Sequence, residues 1–107
     1  MHSEKTGSNE LEAKIFYALA DPVRLEIIKF LREKEKCVCE IIPHVKLVQP
    51  LVSRHLKILK ECGIVKVRKE QNKRLYSISE SGIFEVLDAL TPELIESLSQ
   101  HMIEQLA

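Results

Sequence analysis

The sequence predicts a mainly α-helical fold with one small β-hairpin. Apolar residues recur at helical spacing over most of the 107 residues, whereas residues 64–68 and 75–78 read as two short strands. The polar stretch at residues 70–73 lies between those strands and suits a hairpin tip. Gly63 lies directly before the first strand, where a helix would end in a left-handed residue. The hairpin is therefore expected to follow a helix directly, in a chain whose length fits one domain.

The chain is expected to begin with a polar tail and two helices. Residues 1–8 are polar, and we expect a disordered tail there, followed by a folded domain over residues 9–107. A helical stripe begins with Leu11 and Ile15. The dipeptide Asp21-Pro22 predicts the start of the second helix, because Asp is a good N-cap and Pro suits the first helical position.

A short segment and a long amphipathic helix come next. Residues 37–45 are predicted to begin extended and to continue as a short helix. From residue 48 onward, one arc of an ideal helix is apolar and the opposite arc is polar or charged. His55 lies in the middle of the apolar arc, which predicts a packed, hydrogen-bonded histidine rather than a functional one. The apolar arc contains Leu51, Val52, Leu56, Ile58, Leu59 and Cys62.

The last 28 residues are predicted to be helical, with a restart at Thr91-Pro92. This pair repeats the cap-then-proline pattern of Asp21-Pro22. The helix that follows carries an apolar stripe long enough to need a partner. The stripe consists of Leu94, Ile95, Leu98 and Met102.

Charge is strongly polarised along the chain, although its formal net charge is zero. Residues 46–76 contain nine Lys or Arg and two Glu, a local net charge of +7, and the remaining residues carry −7. A basic surface attracts phosphate whatever the total charge is. An amphipathic helix followed by a basic hairpin is typical of a winged helix-turn-helix, whose helix enters the major groove of DNA. We therefore expect double-stranded DNA as a partner.

The expected DNA contacts lie on the polar arc of the long helix and in the hairpin. Side chains near the start of the helix would reach base edges, and lysines further along would meet phosphates. In that order, the helix residues are Gln49, Pro50, Ser53 and Arg54, then Lys57 and Lys60. The hairpin residues, expected at phosphates or in the minor groove, are Lys69, Asn72, Lys73 and Arg74.

Three segments resemble the ArsR/SmtB family of bacterial and archaeal repressors, and they occur in the family's order. These segments are residues 20–25 (ADPVRL), 37–41 (CVCEI) and 49–65. The resemblance implies a homodimeric winged helix-turn-helix that blocks transcription from a near-palindromic operator until a metal, a metalloid or another signal releases it. It also implies that the first and last helices build the dimer, through Leu11, Ile15, Leu94, Ile95, Leu98 and Met102.

The same resemblance singles out Cys37 and Cys39. Arsenic-type sensors of the family carry Cys-Val-Cys at this place with a further cysteine shortly after, but the third position is Ile42 here. The family's zinc-type site on the last helix uses Asp and His pairs, and only His101 is present. Three interpretations of the cysteine pair stay open. They are a thiophilic metal or metalloid site with an unidentified third ligand, a redox pair within or between subunits, and two unliganded residues.

Other classes of function find little support in the residues. No apolar run approaches the roughly 20 residues of a membrane span, and the first residues lack the apolar stretch of a secretion signal, so we expect a cytoplasmic protein without membrane contact. Three cysteines, an odd number, argue against a disulfide framework. No enzyme and no catalytic residue is expected, because the sequence offers neither a nucleophile–base pair nor a Gly-rich phosphate loop. A winged helix that only docks a protein is the remaining alternative.

Overall fold

The computed structural model describes the backbone of residues 2–106 and the side chains of residues 7–106. It has the mainly helical architecture with a small antiparallel sheet that the sequence predicts. The helices are α1 (His2–Leu19), α2 (Pro22–Leu31), α3 (Val38–Val45), α4 (Gln49–Glu61), α5 (Gly82–Asp88) and α6 (Pro92–Leu106). The strands are β1 (Lys36–Cys37), β2 (Val65–Glu70) and β3 (Lys73–Ile78).

The predicted helix starts at the two Xaa-Pro pairs are confirmed by their hydrogen bonds. Asp21 Oδ1 accepts from the backbone N–H groups of Val23 (2.8 Å) and Arg24 (3.1 Å), which caps α2. Thr91 Oγ1 accepts from the backbone N–H of Leu94 (3.1 Å), which caps α6. α1, in contrast, begins at His2 and not near residue 10. The division into a tail over residues 1–8 and a domain over residues 9–107 stays a prediction.

The sheet has the order β1-β3-β2, with β3 antiparallel to both neighbours. In the hairpin, pairing runs from Val65 opposite Ile78 to Glu70 opposite Lys73. Gly63 closes the turn after α4 with a φ of 79°, in the left-handed region predicted for it. Strand β1 adds two residues to the other side of β3, with Lys36 opposite Tyr76. This short strand ties the start of α3 to the hairpin.

The core lies between α2, α3, α4 and the base of the hairpin. α4 contributes three side chains that are almost completely buried, which fixes its orientation on the domain. Leu51 departs from the predicted apolar arc, because its side chain is 40% exposed at the start of α4. The largest fully buried side chains are Ile27, Ile28, Ile41, Val52, Leu56 and Leu59.

The outermost helices leave apolar side chains uncovered in a single chain. No residue of α6 is buried, although the helix carries the predicted apolar stripe. The predicted interface residues Leu11, Ile15, Leu94, Ile95, Leu98 and Met102 are all exposed, by 36–63%. Within residues 2–106, none of the helices is long and apolar enough to cross a membrane.

Candidate nucleic-acid interface

Helix α4 presents its polar arc to solvent, as the sequence predicts. Burial of Val52, Leu56 and Leu59 on one side leaves the other side outward. Pro50 lies in the first turn of this helix, and the N-cap residue Val48 makes no side-chain cap. All six residues predicted to contact DNA from α4 are exposed, namely Gln49, Pro50, Ser53, Arg54, Lys57 and Lys60.

A groove of about 940 Å³ runs between α4 and the β2–β3 hairpin, and we call it the α4–wing groove. One wall comes from the polar arc of α4, and the other comes from the tip and β3 of the hairpin. Seven of the ten predicted DNA-contact residues line it: Gln49, Ser53, Lys57, Lys60, Asn72, Lys73 and Arg74. The fold therefore gathers cations from two elements that are separated in sequence.

The other three predicted contact residues lie outside this groove. Pro50 and Arg54 are exposed on α4 but do not line it. Lys69 lies on β2, beside a smaller depression that it shares with Lys60 and Arg74. The individual roles of the ten residues stay predictions.

The hairpin also carries a cation that is already paired within the chain. Arg68 donates from Nε to Glu35 Oε2 (2.7 Å) and from Nη2 to Glu35 Oε1 (2.9 Å). These hydrogen bonds lower the pKa of Glu35; desolvation opposes them, and the charges of Arg68 and Lys66 add to the lowering. Arg68 is thus held by a carboxylate, unlike Lys73, for which the structure gives no ion pair in the part of the chain that it describes.

Arg24 links α1, α2 and α4 through its side chain, which the sequence does not reveal. Arg24 is 5% exposed, and it donates from Nε to the carbonyl oxygen of Ala18 (2.7 Å) and from Nη2 to that of Tyr17 (3.0 Å). Its Nη1 lies 3.2 Å from His55 Nδ1 on α4. The prediction of a packed, hydrogen-bonded His55 is confirmed. The bond connects α4 to α2, and the other two hydrogen bonds of Arg24 extend the connection to the end of α1.

Cys37 and Cys39 line the α4–wing groove at the start of α3, where a disulfide joins them. Cys37 is 6% exposed, whereas Cys39 is exposed. Cys37 also accepts at Sγ from the backbone N–H of Cys39 (3.0 Å). The bond spans two positions in sequence and joins no distant elements, so it is no framework. Among the described residues, no group of three or more His, Cys, Asp or Glu side chains is placed to hold a metal ion.

Comparison with known proteins agrees with this geometry. The family described as "Bacterial regulatory protein, arsR family" matches residues 21–67. An uncharacterized HTH-type transcriptional regulator of Methanocaldococcus jannaschii is 47% identical over 79 residues, which are 73% of this chain and 89% of that protein. The HTH-type transcriptional repressor SmtB of Mycobacterium tuberculosis is 41% identical over 78 residues, which are 72% of this chain. The chain spans 58% of that repressor's length.

The fold is also similar to that of solved structures. The crystal structure of Rv0081 from M. tuberculosis is 32% identical and has a TM-score of 0.75, with 88% of this chain and 95% of that chain covered. The segments that resemble ArsR/SmtB repressors thus lie in a fold of the same kind. This chain is a winged helix-turn-helix transcriptional regulator and belongs to the ArsR family of bacterial regulatory proteins.

Proposed function

We propose that this protein binds a specific sequence of double-stranded DNA as a homodimer and represses transcription from it in the cytoplasm. The observation that carries the proposal is the α4–wing groove, where cations of the helix and of the hairpin face one space. A duplex that places its major groove on α4 would bring a phosphate backbone alongside Lys57, Lys60, Lys73 and Arg74.

The residues divide into those that would read bases and those that would hold phosphate. Gln49, Ser53 and Arg54 lie in the first half of α4, where a helix in the major groove meets base edges. Arg forms bidentate hydrogen bonds with guanine and Gln with adenine. The lysines further along, together with the wing, supply contacts that fix position without reading sequence.

A second copy of this chain is the partner that best suits the uncovered faces of α1 and α6. The side chains of Ile95 and Leu98 are each about half exposed in the single chain. Pairing two copies through these helices would remove those surfaces from water and would present two α4 helices to two half-sites. A near-palindromic operator follows from that symmetry.

We propose that the release signal acts at Cys37 and Cys39. Two sulfurs alone do not complete the three-thiolate site that arsenite prefers, since Ile42 stands at the third position. Within one chain, the described residues place no third His, Cys, Asp or Glu side chain beside the two sulfurs. The disulfide between the two cysteines supports the redox interpretation instead.

A winged helix used only for protein docking is the weaker alternative. The polar arc of α4 carries Gln, Ser, Arg and Lys side chains. Protein interfaces are instead enriched in aromatic side chains and depleted in Lys.

Selection from a random pool of duplex DNA tests the proposal. The reduced full-length chain is expected to enrich a two-fold symmetric sequence, and its affinity should fall steeply with salt. The variant Leu98→Glu should sediment as a monomer and bind the enriched duplex much more weakly. Lack of any salt-sensitive retention on duplex DNA would overturn the proposal.

A further inference from the structure

The cysteine pair and the phosphate-facing cations open onto the same space. Cys37 and Cys39 line the α4–wing groove together with Lys57 and Lys60 of α4 and with two cations of the hairpin, Lys73 and Arg74. Glu61 is the acidic residue among those that line it. The groove is therefore cationic around two sulfur atoms. Its volume of about 940 Å³ is that of a small-molecule site.

The two cysteines differ in exposure, and this difference suits them to different steps of an exchange reaction. Cys39 is exposed and meets a reagent in the groove first, whereas Cys37 is 6% exposed. Their Cα atoms are 5.0 Å apart, within the range that a disulfide spans. A bond between Cys39 and an external thiol can thus be displaced by Cys37 without movement of other elements.

We propose that the α4–wing groove is a thiol–disulfide exchange site for anionic low-molecular-weight disulfides, and that its occupant and DNA exclude each other. The proposal deepens the proposed function and depends on it for the DNA half of the statement. The cations attract the anionic groups of the reagent by the same Coulomb interaction that attracts phosphate.

The exchange takes two balanced steps. The Cys39 thiolate attacks one sulfur of the disulfide RSSR, so that a Cys39–SR bond forms, the RS–SR bond breaks and one RS⁻ leaves. The Cys37 thiolate then attacks the Cys39 sulfur, forms the Cys37–Cys39 disulfide and releases the second RS⁻. Two protein thiols are oxidised and one RSSR is reduced to two thiols. In the intermediate, the R group lies among the cations that would hold phosphate.

Two disulfides of opposite charge test the exchange site. The reduced full-length chain is treated with anionic glutathione disulfide or with cationic cystamine. Mass spectrometry follows the reaction of Cys39 as the sum of its mixed disulfide and of the Cys37–Cys39 disulfide that replaces it. The reference for intrinsic reactivity is a free peptide of residues 36–41. Relative to that peptide, the protein should favour glutathione disulfide by about tenfold at low salt. The preference should shrink as salt rises and should be lost in the double variant Lys57→Gln/Lys73→Gln.

Protection by DNA tests the shared groove. Saturating enriched duplex should slow the modification of Cys39 by about tenfold or more, whereas alkylation of Cys62, which does not line the groove, should change little. The ratio of the reaction rates of Cys39 with glutathione disulfide and with cystamine should differ between protein and peptide. Equal ratios would overturn the exchange site. Undiminished reaction of Cys39 on bound DNA would overturn the mutual exclusion. Absence of DNA binding would instead refute the proposed function, and the rate comparison without DNA would still decide the exchange site.

Discussion

Arg24 Nη1 lies 3.2 Å from His55 Nδ1, and this contact joins the first turn of α2 to the middle of α4. A guanidinium group has only donors, so Arg24 donates and His55 Nδ1 accepts in this hydrogen bond. The same Arg24 side chain donates to the carbonyl oxygens of Tyr17 and Ala18, the last turn of α1. The helix expected in the dimer and the helix expected on DNA are thus held by one buried side chain.

Removal of the acceptor on α4 should destabilise the fold. The variant His55→Leu leaves Arg24 Nη1 without this partner in a part-buried position, which costs about 1–3 kcal/mol. The variant His55→Gln offers a carbonyl oxygen in its place and should recover part of the loss. Urea unfolding at one fixed protein concentration measures both variants, because the stability of a dimer depends on concentration. Equal stability of His55→Leu and the parent protein would show that the bond contributes little.

Asp21 should make stability depend on pH at the acid end. Burial alone would raise the pKa of Asp21, but hydrogen bonds from the backbone N–H groups of Arg24 and Val23, and then the charges of His55 and Arg24, lower it below its ordinary value of 3.8. The ionised carboxylate therefore stabilises the folded state above that ordinary value. This contribution is lost as the pH falls through the lower, folded-state pKa.

The variant Asp21→Ala should lower the free energy of unfolding by about 1 kcal/mol at neutral pH. Its deficit against the parent protein should shrink as the pH falls below about 4. Asp21→Asn is the matched control, since it keeps a capping oxygen and does not titrate. A deficit of Asp21→Ala that stays constant down to pH 2 would contradict the lowered pKa.

The elements of this fold that could be predicted are those with local signals. Asp21 and Thr91 cap their helices, as expected for N-cap residue types that stand directly before a proline at the first helical position. The outward arc of α4 followed from helical periodicity alone. The basic hairpin followed from two alternating runs around a polar tip, and the observed pairing from Val65 to Ile78 agrees with them.

The rest depends on contacts between residues that are far apart in sequence. The extended start and short helix predicted for residues 37–45 are confirmed, but the pairing of Lys36 and Cys37 with β3 has no signal in the sequence. An arginine in α2 would be expected at the surface from its residue type alone. Arg24 is instead buried, and it donates to a carbonyl oxygen at the end of α1. Leu51 fits the apolar arc, and yet no element covers the first turn of α4 enough to bury it. Likewise, only the folded hairpin brings its cations beside the two cysteines.

Substitutions of Arg54 and Lys73 should separate sequence reading from phosphate binding. Arg54→Ala should weaken binding to the enriched duplex by about tenfold or more, and binding to random duplex much less. Lys73→Ala should weaken both about evenly and reduce the slope of log affinity against log salt by about one. Fluorescence anisotropy titrations on the two duplexes at several salt concentrations measure these effects. If both variants lost the same affinity on each duplex and changed the salt slope equally, the assigned roles would be contradicted.

Glu35 should restrain the affinity of the wing for DNA, because it occupies Arg68. The bidentate pair holds the guanidinium at 2.7 and 2.9 Å, and its hydrogen bonds lower the pKa of Glu35, because they stabilise the ionised carboxylate. The variant Glu35→Gln removes the charge of this partner. Arg68 then keeps only the longer contact of its Nη2 with Glu70 Oε1 (3.6 Å) and becomes more available to phosphate. Affinity for random duplex should then rise severalfold, and the salt slope should steepen by about one.

Glu33→Gln is the matched control for this prediction. It changes the net charge of the protein by the same amount, but Glu33 pairs with Lys36, which is only 5% exposed. The control should therefore leave the salt slope nearly unchanged, because a buried ammonium group gains no access to phosphate. If affinity for random duplex and its salt slope change equally in both variants, overall charge and not the release of Arg68 sets the affinity of the wing. If only Glu35→Gln steepens the slope of log affinity against log salt, Arg68 contacts phosphate once its pairing with Glu35 is removed.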